Sequence, residues 1–144
     1  MTAYDGDEES AVIDRPPPSD QGKLWAIVSY ASFFVGFPLG VVPLLTRDDP
    51  YALHHAKHAT AVWLVVFGLT TILAVLYTAL SFVTCGMGAI LFPIVLLPVP
   101  WAAVVGIHGL VITLNGQWDE PIGTFGLGDQ LFGSIALAEK PPPT

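Results

Sequence analysis

The sequence predicts an all-α, polytopic integral membrane protein with three main hydrophobic segments, kinked by proline and glycine. Two observations carry this. The composition is 53% hydrophobic and only 12% charged, about half the usual charged share. The charges are also segregated: all 17 lie within residues 5–23, 47–57 and 119–140, and none falls between Lys57 and Asp119. A soluble fold scatters Lys, Glu, Asp and Arg along every element, because those side chains are almost never fully buried. A bilayer is the solvent that suits an uncharged stretch of this length, and about 20 residues suffice for one helix to cross its hydrocarbon. These numbers exclude an ordinary soluble enzyme, a nucleic-acid binder and a disulfide scaffold.

Residues 1–22 form the first section, an acidic, Pro-rich tail containing Asp5, Asp7, Glu8, Glu9, Asp14, Asp20 and Pro16-Pro17-Pro18. Too few apolar residues are present to offset the entropy of ordering, so disorder is expected. The net charge of −7 comes largely from this tail, which argues against its adhesion to anionic lipid or nucleic acid. The first apolar run is longer than a secretory signal core and follows acids rather than a basic stretch, so it is expected to stay in the mature protein. The lone Cys85 cannot form an intramolecular disulfide.

Segment one, Leu24 to Leu45, opens with Trp25 at aromatic-belt depth. Gly36, Pro38, Gly40 and Pro43 weaken its second half. It reads either as one kinked span or as a helix followed by a short re-entrant piece, and a break at Gly36-Phe37-Pro38 would raise the segment count to four. Segment two begins at Asp49-Pro50, where the Asp side chain caps the first-turn amides and proline supplies no orphaned donor. From Pro50 to about Thr84 the helix would be about 50 Å long, so Tyr51 to His58 should project from the membrane and Trp63 should mark where it enters. The glycine-rich Cys85-Gly86-Met87-Gly88 then predicts a tight turn, making segments two and three an antiparallel hairpin. Segment three, Ala89 to Leu114, carries Pro93, Pro98 and Pro100 and should straighten into a regular helix from Trp101. Asn115-Gly116 is its expected stop. Beyond it, Gly128 to Leu137 predicts a short amphipathic helix capped by Asp129, with Leu131, Phe132 and Ile135 toward lipid or the bundle. Residues 134–144 hold the end of that segment and a second Pro-rich tail.

The hairpin puts residues 46–58 and the tail after Gly116 on one membrane face. Arg47 and Lys57, against an uncharged Cys85-Gly86 turn, make that face cytoplasmic. Arg15 and Lys23 pull the N-terminus to the same side, which a single first span would not satisfy.

Three constellations bear chemistry. His54 and His58, one helical turn apart with Asp48 nearby, could present two imidazoles to a metal. Such a site needs further ligands, Lys57 would oppose a cation, and the alternative is a solvated, titratable helix end. His108, the strongly polar group of segment three, is a functional-site hypothesis at membrane depth and otherwise a hydrogen-bond partner for Thr70, Thr71 or Thr78. Ala102, Gly106 and Gly109 form a small-residue face for close helix packing. A few short helices leave that face and His108 in need of a protein surface, so a homo-oligomer or a complex with another membrane protein is expected there. No phosphate-binding loop, nucleophile elbow or dinucleotide fingerprint is present, and no cofactor is expected.

The order of Lys23-Leu24-Trp25, Val42-Pro43-Leu44-Leu45, Thr46-Arg47-Asp48-Asp49-Pro50-Tyr51, His55-Ala56-Lys57, Asn115-Gly116-Gln117 and Pro121-Ile122-Gly123 resembles the Tic-twenty-like family of small bacterial membrane proteins over residues 23–133. The Arg-Asp-Asp-x-Tyr and His-Ala-Lys pattern followed by Trp63 is especially similar to its MamF and MmsF branch of magnetosome membranes. The resemblance makes His55 the family's usual histidine, with His54 and His58 as additions. It implies a multi-pass protein of the bacterial inner membrane or of an organelle derived from it. For function, a non-enzymatic membrane organiser or assembly factor is the expectation. A subunit of a transport or translocation pore is the alternative, and a metal-handling membrane protein using His54 and His58 is the second alternative.

Overall fold

The computed structural model describes residues 15–86 and 90–138. The acidic tail before Arg15, the Met87-Gly88 half of the expected turn and the chain after Ala138 lie outside the described residues. The described chain is all-helical, without strands, in the order α1 Asp20–Val35, α2 Val41–Thr46, α3 Pro50–Val83, α4 Phe92–Val95, α5 Pro98–Leu114 and α6 Leu127–Phe132. Two stretches, Pro50–Val83 and Phe92–Leu114, are long and apolar enough to cross a membrane.

Segment one is not a continuous span. α1 begins three residues before Lys23 because Ser19 caps it, its hydroxyl oxygen accepting from the Gly22 amide at 2.9 Å. It stops at Gly36, whose φ of 78° lies in the left-handed region that glycine enters without steric cost. The chain then folds back. A Cβ on Gly40 would lie 2.7 Å from Thr60 Oγ1 and 3.4 Å from Ser29 Cβ, and Leu44 packs on Leu53 and Ala56, so α2 returns along α3 toward the level at which α1 began. The observed path is a helix followed by a short second helix that turns back. Sixteen residues of α1 reach about 24 Å, and below its tip an apolar cleft of about 330 Å³ opens between Phe33, Trp63, Val66 and Val99.

α3 starts where the sequence places it, with Pro50 in the first turn and Asp49 Oδ1 accepting from the Ala52 amide at 2.9 Å. The other Asp49 oxygen accepts from the Ser19 hydroxyl at 2.5 Å, which ties the N-termini of α1 and α3 together and makes the two helices run in the same direction. At its far end Gly86 N–H bonds to Ser81 C=O at 2.8 Å, with Cys85 at φ 52°. This is a left-handed helix stop built on a residue with a Cβ. Cys85→Gly should therefore raise stability by about 0.5–1 kcal/mol, read as a higher midpoint in SDS-induced unfolding; an unchanged or lower midpoint would contradict it.

α4 and α5 divide segment three where its prolines predict a bend, and Pro98 and Pro100 fall in the first turn of α5, where a missing amide costs least. α5 runs antiparallel to α1 and α3. It ends on Asn115-Gly116 with the expected cap: Gly116 has φ 70°, and the Gly116 and Gln117 amides bond to Thr113 and Ile112 carbonyls at 3.1 Å each.

The small-residue face of α5 packs within the chain. Gly106 faces Phe33, and Gly109 faces the ring of Tyr30 so closely that a Cβ there would sit 2.4 Å from it. Ala102, Gly106 and Gly109 are buried, and the two glycines take their cover from α1. α6 is shorter than Gly128–Leu137 because Gly133 ends it, and its N-cap is Gly126 rather than Asp129, which lies in the first turn. Phe132 and Ile135 pack on Leu44, Leu53 and Ala56, whereas Leu131 is exposed.

Candidate functional site

The polar residues of α3, the loop after α5 and α6 converge at the end of the bundle where α1 and α3 begin. Every link is a consequence of chain direction. α3 brings Tyr51, His54, His55 and His58 on its first turns, ahead of Trp63 and the apolar run that follows, while α5 delivers Gln117, Trp118 and Glu120 as it exits the opposite way.

His55 is the centre of a buried network. Its Nε2 lies 3.0 Å from the Gln117 carbonyl, which can only accept, so this nitrogen carries the proton and donates. Nδ1 is then free to accept from the Tyr30 hydroxyl at 3.4 Å. The Tyr51 hydroxyl donates to the same Gln117 carbonyl at 3.1 Å, and the Tyr51 ring stands edge-on to His55 with centroids 4.5 Å apart. Two helices, α1 and α3, and the loop after α5 are thus joined through a neutral imidazole. Burial first, and the neighbouring His54 second, lower its pKa to about 3 despite the Gln117 carbonyl.

Projection of these histidines into solvent, the alternative to a metal pair, is not what the fold does. His55 and His58 are fully buried. The His54 ring lies 4.9 Å from that of His58 and 5.1 Å from that of His55. Burial and then the mutual proximity of His54 and His58 lower the pKa of His54. Burial lowers that of His58 against the opposing pull of Glu120 and Asp129. Arg15 covers this end, its guanidinium 5.6 Å from the centre of the Trp118 ring.

Asp48, proposed from sequence as a partner for His54 and His58, is exposed on the α2–α3 connection and does not join them. Among the described residues the group with metal-ligand spacing is His58, Glu120 and Asp129, whose donor atoms lie within 4.8 Å of one another. In the sequence Asp129 reads as a helix cap, and Glu120 carries no signal of its own. The signal that points to both is the charge segregation itself: residues flanking a neutral antiparallel hairpin must meet at one end.

His108 is half-buried, and its Nδ1 accepts from the Ile122 amide at 3.1 Å. Its partner within the chain is the loop that follows α5, not Thr70, Thr71 or Thr78. Thr71 and Thr78 instead bond back to the Phe67 and Ala74 carbonyls of their own helix.

Apolar helices of spanning length that carry a hydrogen-bonded polar cap at one end define a helical membrane protein. Over residues 21–125 the chain matches the magnetosome magnetite crystal formation protein family, MamF_MmsF, and it belongs to that family. No curated protein and no solved structure matches it.

Proposed function

We propose that this chain is a non-enzymatic membrane organiser, in which a re-entrant hairpin, α1–α2, and two spanning units, α3 and α4–α5, hold a preassembled polar cap on one face of the membrane. The observation that carries this reading is the cross-bonding of the cap. Ser19 bonds to Asp49, and Tyr30, Tyr51 and His55 tie α1 and α3 to Gln117, so the loops form one platform. A family described by magnetite crystal formation supports a role for that platform at the membrane of a crystal-forming compartment. By the positive-inside rule the cap carrying Arg15, Lys23, Arg47 and Lys57 faces the cytoplasm.

The topology is tested with single cysteines in a Cys85→Ser background. Positions 15, 48 and 119 should react with an impermeant reagent from one side of sealed vesicles, and native Cys85 from the other. Opposite accessibility of positions 15 and 48 would replace the re-entrant hairpin with a third full span. Reconstituted protein should leave liposome conductance at the protein-free level; a selective conductance would overturn the organiser reading in favour of a pore subunit. Expression in a magnetite-forming strain lacking its own family member should shift crystal size toward the parental value, and an unchanged size despite membrane insertion would remove the role in crystal formation.

A further inference from the structure

We propose that His58, Glu120 and Asp129 form a binding site for one divalent transition-metal ion at the capped end of the bundle. The inference stands on geometry at this end and does not depend on the organiser role.

The first observation is the convergence of one imidazole and two carboxylates, with donor atoms within 4.8 Å of one another. Carboxylates alone would carry little weight, since exposed acids often lie together. The second observation is independent. The His58 side chain is completely buried, yet neither ring nitrogen has a hydrogen-bond partner. Its Nε2 points at Glu120 Oε1 from 3.8 Å, beyond hydrogen-bonding distance. A buried imidazole without a partner forfeits the solvation of its nitrogens, and Glu120 at 3.8 Å does not replace it. A cation between the two gives the ring nitrogen a partner and the carboxylate a counter-charge.

The surroundings fit this use. The backbone of α6 lies directly on the ring, a Cβ at Gly128 falling 2.5 Å from His58 Nδ1, so the glycine allows α6 to bring Asp129 alongside. The buried Thr124 hydroxyl, 2.9 Å from the Pro121 carbonyl, also lies 3.3 Å from Glu120 Oε2. That contact steadies one carboxylate oxygen and leaves the other toward His58, the kind of outer support that orients metal ligands. Glu120 and Asp129 are exposed, giving an ion a route from solvent and the side chains freedom to close to the roughly 3.4 Å spacing of donors around a tetrahedral ion. Lys57 opposes a cation at His58, but it is one positive charge against two carboxylates. A nitrogen donor favours Zn²⁺, Co²⁺ or Fe²⁺ over the all-oxygen cations Ca²⁺ and Mg²⁺. Three protein ligands leave positions open to water, which suits an exchangeable ion more than a closed structural site.

The experiment uses full-length protein in detergent, purified without a polyhistidine tag and titrated with Co²⁺ by calorimetry and visible absorption. The expected result is saturation at one equivalent, with His58→Ala, Glu120→Gln and Asp129→Asn each weakening binding by about 100-fold and Asp48→Asn leaving it unchanged. Glu120→Gln and Asp129→Asn keep side-chain size at exposed positions, so they test the site even where His58→Ala perturbs packing. Absence of saturable one-to-one binding overturns the proposal. So does wild-type affinity in either carboxamide variant.

Discussion

His55→Ala should lower unfolding stability by about 3 kcal/mol in detergent, the sum of lost packing in a full core and a buried Tyr30 hydroxyl left without its acceptor. Tyr30→Phe, which removes the hydroxyl but keeps the ring, should cost about 1 kcal/mol. In the double variant the two losses should fall short of additive, because both substitutions remove the same contact. SDS titration of purified protein measures all three, and a loss under about 0.5 kcal/mol for His55→Ala, the level of an ordinary surface change, would mean that the network does not hold the helices together. Acid has the same target. Free imidazole titrates near 6.5 and folded His55 at about 3, so between those values the unfolded chain binds more protons and stability rises with pH. The stabilisation is fully present above pH 6.5 and is lost as pH falls toward 3. The His54 and His58 shifts act in the same direction. His55→Phe should therefore flatten the decline between pH 7 and pH 4 without abolishing it.

Gly109→Ala should destabilise the protein by about 2 kcal/mol, although alanine gains about 1 kcal/mol over glycine in an isolated helix. The added carbon would lie 2.4 Å from a ring atom of Tyr30. That ring is fully buried and bonded to His55, so it cannot step aside and α1 must move off α5. Gly106→Ala, where the nearest atom is Phe33 Cδ2 at 3.2 Å, should be milder. Gly68→Ala, which meets nothing within 4 Å, should be neutral or stabilising. This ranking separates packing inside the monomer from packing between subunits: a Gly109→Ala variant of wild-type stability but altered oligomeric mass would return the α5 face to a subunit interface.

Much of the secondary structure was legible because its signals are local. Asp49-Pro50 starts α3, Asn115-Gly116 stops α5, and the prolines of segment three bend it, each through backbone groups within a turn of the residue concerned. The membrane character was equally legible, since an uncharged stretch from His58 to Trp118 states its solvent directly. The path of segment one was not. Gly36, Pro38 and Gly40 announce a break, but only the contacts of Gly40 with Thr60 and Ser29 turn that break into a return, and periodicity is silent when every face is apolar.

The sequence by itself determined that His54, His55 and His58 share the first turns of a helix and that Glu120 and Asp129 follow the last long one. Only the tertiary structure decided that Glu120 and Asp129, rather than the nearby Asp48, face His58, and that Gly106 and Gly109 pack against Phe33 and Tyr30 of α1. The reason is physical. Helical spacing fixes which side chains of one helix share a face. Which residues meet across helices depends on the direction and depth of each helix, and these are set by long-range contacts: Ser19 with Asp49, Tyr30 with Gly109, and His55 with Gln117.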